Sequence, residues 1–324
     1  MDAKLRGVYE AIDRVATTEI RLPWMDNGFI PKLYDAARAG GDPITGQIAE
    51  ATIALINSGK KRFGVVNGVY KEDGLPVGET DGPYGAIVLG RALELLGAEV
   101  VQITEPEQCM PMENLRTLLE LKSNNIVALN RYSDEENGKL IDDLDAVFFV
   151  EKIGPSCEGV YHYSTGNPRN GEDCPLDTFI EKMHSMGKLS VGYGDFGNEI
   201  GFGKIWEQAR EISPYGKKCG CPKNEGNICK WATDYLLPSN VSNFGAYATA
   251  AALAAATGRL DLLHTPEMEE TIIRAGKAWG LIDGGHFVSN TNIDGIPLEG
   301  VKAIVQLLYT IVAQYYDTTP KAHP

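Results

Sequence analysis

Two glycine-rich turns carry most of the acidic chemistry of this chain, Gly78-Glu-Thr-Asp-Gly-Pro-Tyr-Gly85 and Gly192-Tyr-Gly-Asp-Phe-Gly-Asn-Glu-Ile-Gly-Phe-Gly203. They set Glu79, Asp81, Asp195 and Glu199 on backbone too rich in glycine for a helix or strand interior, where a loop that approaches a ligand closely is the natural reading. Such loops cost conformational freedom that folding alone would not select. The pattern points to an acidic catalytic or metal-binding site.

Other residues add to it. Glu151-Lys152 follows the apolar run Phe148-Phe149-Val150 directly, which places opposite charges beside a dry edge. Ser242, Asn243 and Gly245 precede an alanine-rich stretch, where they could bind an anion at a helix N-terminus or simply cap it, and the residues alone leave both readings open. Asp283-Gly284 and Asp294-Gly295 look first like turns, and Asp234 is a weaker candidate still. His162 and His286 form no H-x-x-x-H pair and read as satisfied polar residues. Cys219, Cys221 and Cys229 lie in a polar loop that could clip a metal through three thiolates. Their spacing matches no strong zinc or iron–sulfur signature, so an exposed loop with reduced thiols is expected. Gly192 to Gly197 formally fits G-x-G-x-x-G, but Asp195 inside it would repel a pyrophosphate, which argues against a dinucleotide. No P-loop or G-x-S-x-G motif is present.

The elements that must position these residues alternate along the chain. Short apolar runs at 63–66, 100–103, 126–129, 146–150, 189–191 and 235–237 predict strands. Helical patterns cover 44–56, 84–96, 112–121, 176–186, 204–212, 244–257, 266–278 and 298–315. This alternation predicts an α/β fold, a mostly parallel sheet with helices on both faces in a Rossmann-like layered architecture, with residues 1–324 as one domain. Polar residues follow each apolar run, as in open parallel sheets that bind ligands at the carboxyl ends of their strands.

Composition narrows the function. With 30 Lys and Arg against 44 Asp and Glu, the formal charge of −14 disfavours nucleic acid and anionic membrane surfaces as partners. The first thirty residues are interrupted by acids and no apolar run is long enough to span a bilayer, so a soluble cytoplasmic protein is the default expectation. The sequence leaves a homodimer open.

Five motifs in order, Glu79-Thr-Asp-Gly-Pro83, Val150-Glu-Lys-Ile-Gly154, Gly194-Asp-Phe-Gly-Asn-Glu-Ile-Gly-Phe-Gly203, Val241-Ser-Asn-Phe-Gly245 and Ile293-Asp-Gly-Ile-Pro297, resemble the D-glutamate cyclase family, specifically its C-terminal catalytic domain. The resemblance spans nearly the whole chain. It implies a lyase that removes water from D-glutamate, or a close amino-diacid analogue, to give 5-oxo-D-proline. That reaction needs a base for the amine, a cation to make an anionic carboxylate electrophilic, and an acid for the departing oxygen. On this reading Asp195 and Glu151 are the general acid and base and Lys152 a catalytic cation. Glu79, Asp81 and Glu199 are ligands of Mg²⁺ or Mn²⁺, while Ser242, Asn243, Gly245, Asn198 and Lys204 bind the amino-acid substrate. Lys152 and Lys204 could instead pair with Glu151 and Glu199. A metal-dependent hydrolase or phosphatase acting on a small anionic substrate, or a non-catalytic small-molecule or metal-binding protein, would use a similar acidic pocket.

Overall fold

The computed structural model describes residues 2–318. Six parallel strands, β1 (Arg62–Asn67), β2 (Glu99–Thr104), β3 (Asn124–Ala128), β4 (Ala146–Val150), β5 (Leu189–Gly194) and β6 (Tyr235–Pro238), form one sheet in the order β3-β2-β1-β4-β5-β6. All six fall where the apolar runs predict them. The run Ala146-Val-Phe-Phe-Val150 is buried along its whole length because β4 lies mid-sheet with both faces covered.

Side-chain alternation along the strands sorts the core into two layers. Phe63, Val65, Phe148, Val150, Val191 and Tyr193 join the larger layer, packed by α1 (Ala3–Ala16), α3 (Ile44–Asn57), α4 (Pro83–Leu95), α9 (Ser242–Thr257) and α11 (Leu298–Tyr315). Val66, Val147 and Phe149 point the other way, onto Phe179, Ile180 and Met183 of α7 (Asp177–Ser185). Helix α9 is buried from Ser242 through Ala255, which explains why its alanine-rich sequence shows no polar face. Its small side chains let α4 approach closely, and a Cβ on Gly85 would fall 2.8 Å from Asn243 Cα.

The remaining helices are α2 (Ile30–Arg38), α5 (Cys109–Leu118), α6 (Asp134–Lys139), α8 (Trp206–Ile212) and α10 (Pro266–Ala278). Three helices extend the sequence reading. In α1, Asp2 accepts the Leu5 N–H as N-cap and Val8, Tyr9, Ile12 and Val15 form the buried stripe. Pro31 enters the first turn of α2, and Ser133 caps α6 through the Glu136 N–H. The thiols of the polar loop also differ from expectation: Cys221 and Cys229 are buried and Cys219 is half-buried. No helix among the described residues is long and apolar enough to cross a membrane.

The chain leaves β1 for β2 and β3 on one side, then returns through β4 to β5 and β6 on the other. The crevice above the carboxyl ends of β1 and β4 is therefore the topological switch point, where open parallel sheets hold their ligands.

Candidate active site

A cavity of about 450 Å³ opens at that crevice, lined by the buried carboxylates Glu79, Glu151, Asp195 and Asp294, with the exposed Asp26 as a fifth. Glu79 sits on the loop after β1, fixed by a backbone bridge in which Thr80 N–H donates to Ile282 O at 2.9 Å and Ile282 N–H to Gly78 O at 3.1 Å. Glu151 is the residue after β4, held in the left-handed region at φ 48° with its Oε2 accepting from Ser242 Oγ at 2.5 Å. Asp294 also takes φ 48°, at the tip of a tight turn closed by Ile293 and Ile296. Left-handed backbone at non-glycine residues costs of order 1–3 kcal/mol each, and finding it at two cavity carboxylates matches strain held at a functional site. Gly284 is needed for a different reason. A Cβ there would lie 2.6 Å from Glu79 Oε2 and 3.0 Å from Asp294 Oδ1, so a side chain at this position would push the two carboxylates aside.

The second acidic turn is organised by Glu199. Its Oε1 accepts the N–H groups of Asp195 and Phe196, each at 3.1 Å, and its Oε2 that of Gly197 at 2.8 Å. A Cβ on Gly194 would collide with the Glu199 side chain at 2.8 Å. This local knot turns the chain after β5 and aims Asp195 into the cavity, where Arg21 Nη1 meets its Oδ2 at 2.8 Å.

Burial pushes the pKa of Glu79, Glu151, Asp195 and Asp294 well above the ordinary carboxylate range, and their mutual charges push further. For Asp195 the Arg21 guanidinium opposes that shift. The crowd of acids is thus short of positive charge. One oxygen each of Glu151, Asp195 and Glu199 lies within 4.8 Å of the others, and each carboxylate keeps free acceptor capacity. Buried, converging hard oxygens of this kind suit a Mg²⁺ or Mn²⁺ ion.

The structure brings Glu79, Glu151, Asp195, Glu199, Asn198 and Ser242 together and separates the other expected residues from them. Asp81 does not face the cavity: its carboxylate accepts the N–H groups of Ser242 at 2.9 Å, Asn243 at 2.8 Å and Gly82 at 2.9 Å, capping α9. Burial raises its pKa to about 6 despite these bonds. Because Asp81 already takes those two amides, the start of α9 does not offer them to a substrate carboxylate. Asn243 spends its side chain on Gly82, Gly85 and Thr80, tying α4 to α9. Gly245 serves packing, since a Cβ would strike the Tyr193 ring at 2.7 Å. Lys152 forms a separate buried ion pair with Glu105 and also reaches Gly68 O. Burial alone would raise Glu105, yet Lys152 and Arg131 hold its pKa below the ordinary value. Lys204 is exposed and donates to Asp234 O at 2.7 Å. Asn198 lines the cavity, its Nδ2 donating to His162 O at 3.0 Å and its buried Oδ1 without a partner.

Three cations at or beside this site escaped the sequence reading. Arg169 lines the cavity fully buried; Nε pairs with Asp173 at 2.7 Å while Nη1 has no partner. Lys71 enters the same cavity over the Tyr163 and Phe287 rings. Arg21, from the segment before α2, carries two further guanidinium nitrogens that are buried and unpartnered. None stands in a recognisable motif, and only long-range packing delivers them. Asp294 had a local signal, its Asp-Gly turn, but not one that distinguishes a turn from a ligand-facing acid.

A parallel sheet in this strand order, with an acidic, cation-flanked cavity at its switch point, defines a Rossmann-like α/β protein with a cavity above the strand ends. The chain belongs to the family described as D-glutamate cyclase-like, C-terminal, whose model matches residues 44–309. It is similar to the human protein named D-glutamate cyclase, mitochondrial, at 28% identity over 192 residues, covering 55% of this chain and 30% of that relative's length.

Proposed function

We propose that this protein closes D-glutamate, or a closely similar amino diacid, to 5-oxo-D-proline with loss of water. The observation that carries the reading is a cavity in which buried carboxyls, their protons held tightly, face Arg169 and Lys71, two cations with unspent capacity. An amino diacid brings two carboxylates and one ammonium, and that charge pattern complements these walls. Arg169 Nη1 and Lys71 would take the carboxylates, and Asn198 Oδ1 would accept from the ammonium.

Asp195, the cavity acid in direct contact with Arg21, is the one best kept ionised and would take a proton from the substrate ammonium. The freed amine attacks the side-chain carboxyl carbon; the C–N bond forms, and one C–O bond breaks as that oxygen leaves as water. Glu79 and Asp294, with protons held above the ordinary range, would protonate the leaving oxygen so that it departs as water, and the second proton lost by the substrate nitrogen after attack returns to the acids, which closes the proton balance. Glu151 and Glu199, whose oxygens converge beside Asp195, would hold Mg²⁺ or Mn²⁺, which supplies Lewis-acid polarisation and charge neutralisation when bound, leaving Asp195 to move the proton.

The test is direct. Purified protein is incubated with D-glutamate, L-glutamate and close analogues, each with Mg²⁺, Mn²⁺ or excess chelator, and products are weighed by mass spectrometry. The expected result is a product one water lighter than D-glutamate, formed with Mg²⁺ or Mn²⁺ and suppressed by chelation. Binding of these acids with no water lost under any condition would overturn the proposal.

A further inference from the structure

A second cluster of ligating side chains lies away from the acidic centre, behind one wall of the cavity. The segment 161–169 folds back on itself, with Tyr163 N–H donating to Asn167 O and Arg169 N–H to Tyr161 O, both at 2.8 Å; it supplies Tyr163, Asn167 and Arg169 to the cavity. The loop carrying Cys219 and Cys221 packs against it, and Gly220 N–H donates to Gly166 O at 2.8 Å. At this junction the two sulfurs stand 3.1 Å apart, and His162 supplies a ring nitrogen within 4.8 Å of both.

His162 is the informative residue. Its ring is buried, and apart from an approach to the Val160 backbone its nitrogens have no hydrogen-bond partner, an arrangement that buried polar groups rarely tolerate. The cysteines sit on a turn built to present them: Asn224 N–H donates to Cys221 O, and the Cys219 N–H to Asn224 Oδ1, each at 3.1 Å. Their separation lies between a disulfide bond, about 2.05 Å, and the roughly 3.8 Å that tetrahedral zinc–sulfur geometry requires, so a small opening of the loop suffices. Cys229 is not part of this cluster. It lies in the core beneath Gly154, its sulfur accepting the Trp231 N–H.

We propose that Cys219, Cys221 and His162 form a site for a thiophilic divalent ion, Zn²⁺ being the best match to two thiolates and an imidazole, which clips the 219–221 loop to the wall of the cavity. The fourth coordination position is left to solvent. The ion satisfies one orphaned nitrogen of His162 and fixes the segment whose His162 O anchors Asn198.

The full chain, purified under reducing conditions, is titrated with Zn²⁺ and Co²⁺. About one equivalent should bind through these residues, with Co²⁺ giving a thiolate-to-metal charge-transfer band. Cys219→Ser and Cys221→Ser should each abolish that band, His162→Gln should weaken affinity by more than about tenfold, and Cys229→Ser should leave it intact. Glu151→Gln should not affect it, which separates this site from the acidic centre. If a ligand variant fails to fold, the wild-type cobalt band and metal release on thiol modification carry the test. The proposal is overturned by the absence of a cobalt–thiolate band in wild type. It is equally overturned by an intact mass showing a Cys219–Cys221 disulfide under those conditions, or by loss of the band in Cys229→Ser alone.

Discussion

Asp195 shows how one side chain is made useful by its neighbours. The amides of its own turn are taken by Glu199, its carboxylate meets Arg21, and burial opposes its ionisation, so its charge state is set by a balance that solvent does not control. Asparagine keeps the shape but can neither accept a proton nor carry charge. Asp195→Asn is expected to fold with a lowered melting temperature, because Arg21 loses its buried counter-charge, and to lose on the order of a hundredfold or more in turnover at a temperature where it is folded, the usual scale for removing a general acid or base. Near-normal turnover would reduce Asp195 to a turn residue and move the chemistry to Glu151 and Glu79. Lys152 is the contrasting case: the residue type suits catalysis, but its ammonium is committed to Glu105, and truncation would leave a buried carboxylate unpaired.

At the scale of elements, the junction of α4 and α9 is held by two side chains that the sequence offered as ligands. Asp81 caps α9 and Asn243 reaches across to the first turn of α4, so the two helices start side by side over the strand ends. Asp81→Ala would orphan three buried amides, and we expect a loss of about 1–3 kcal/mol, read from the denaturation midpoint. Unchanged stability together with weakened Mn²⁺ binding would return Asp81 to the role of metal ligand. The strained backbone at Glu151 and Asp294 belongs to this scale as well, because the strand end and the tight turn, rather than the side chains, impose it.

For the whole molecule, the cavity acids link stability to pH. Glu151 has a folded pKa well above its unfolded value, raised first by burial and then by Glu199 and Asp81, so the native state binds the extra proton. Its stabilising contribution is complete below the ordinary carboxylate value and is lost as pH rises through the raised value. Glu151→Gln removes this titration while retaining an acceptor for Ser242. In chelator, the variant should therefore gain melting temperature relative to wild type as pH rises from about 4 to about 7, with the gap smallest at the acid end. A gap that stays constant across that range would show that Glu151 does not titrate as described.

The sequence by itself determined the six strands, most of the helices and the two acidic turns, because these depend on local hydrophobic period and on glycine, whose signals lie within a few residues. The run at 146–150 reads as a strand, and the turn from Asp195 onward as a loop, whereas Gly192 to Gly194, expected to belong to that loop, continue β5 because they pair with β6. Tertiary structure decided which acids face one another. Asp81 and Glu79 are two residues apart, yet one caps a helix that begins 161 positions later and the other lines the cavity. Arg21, Arg169 and Asp294 reach the same crevice from three distant segments, and His162 meets Cys219 and Cys221 across more than fifty residues. Local pattern fixes the phase of an element, whereas burial, pairing and desolvation depend on what the rest of the chain packs against it, and those energies divide a capping carboxylate from a reactive one.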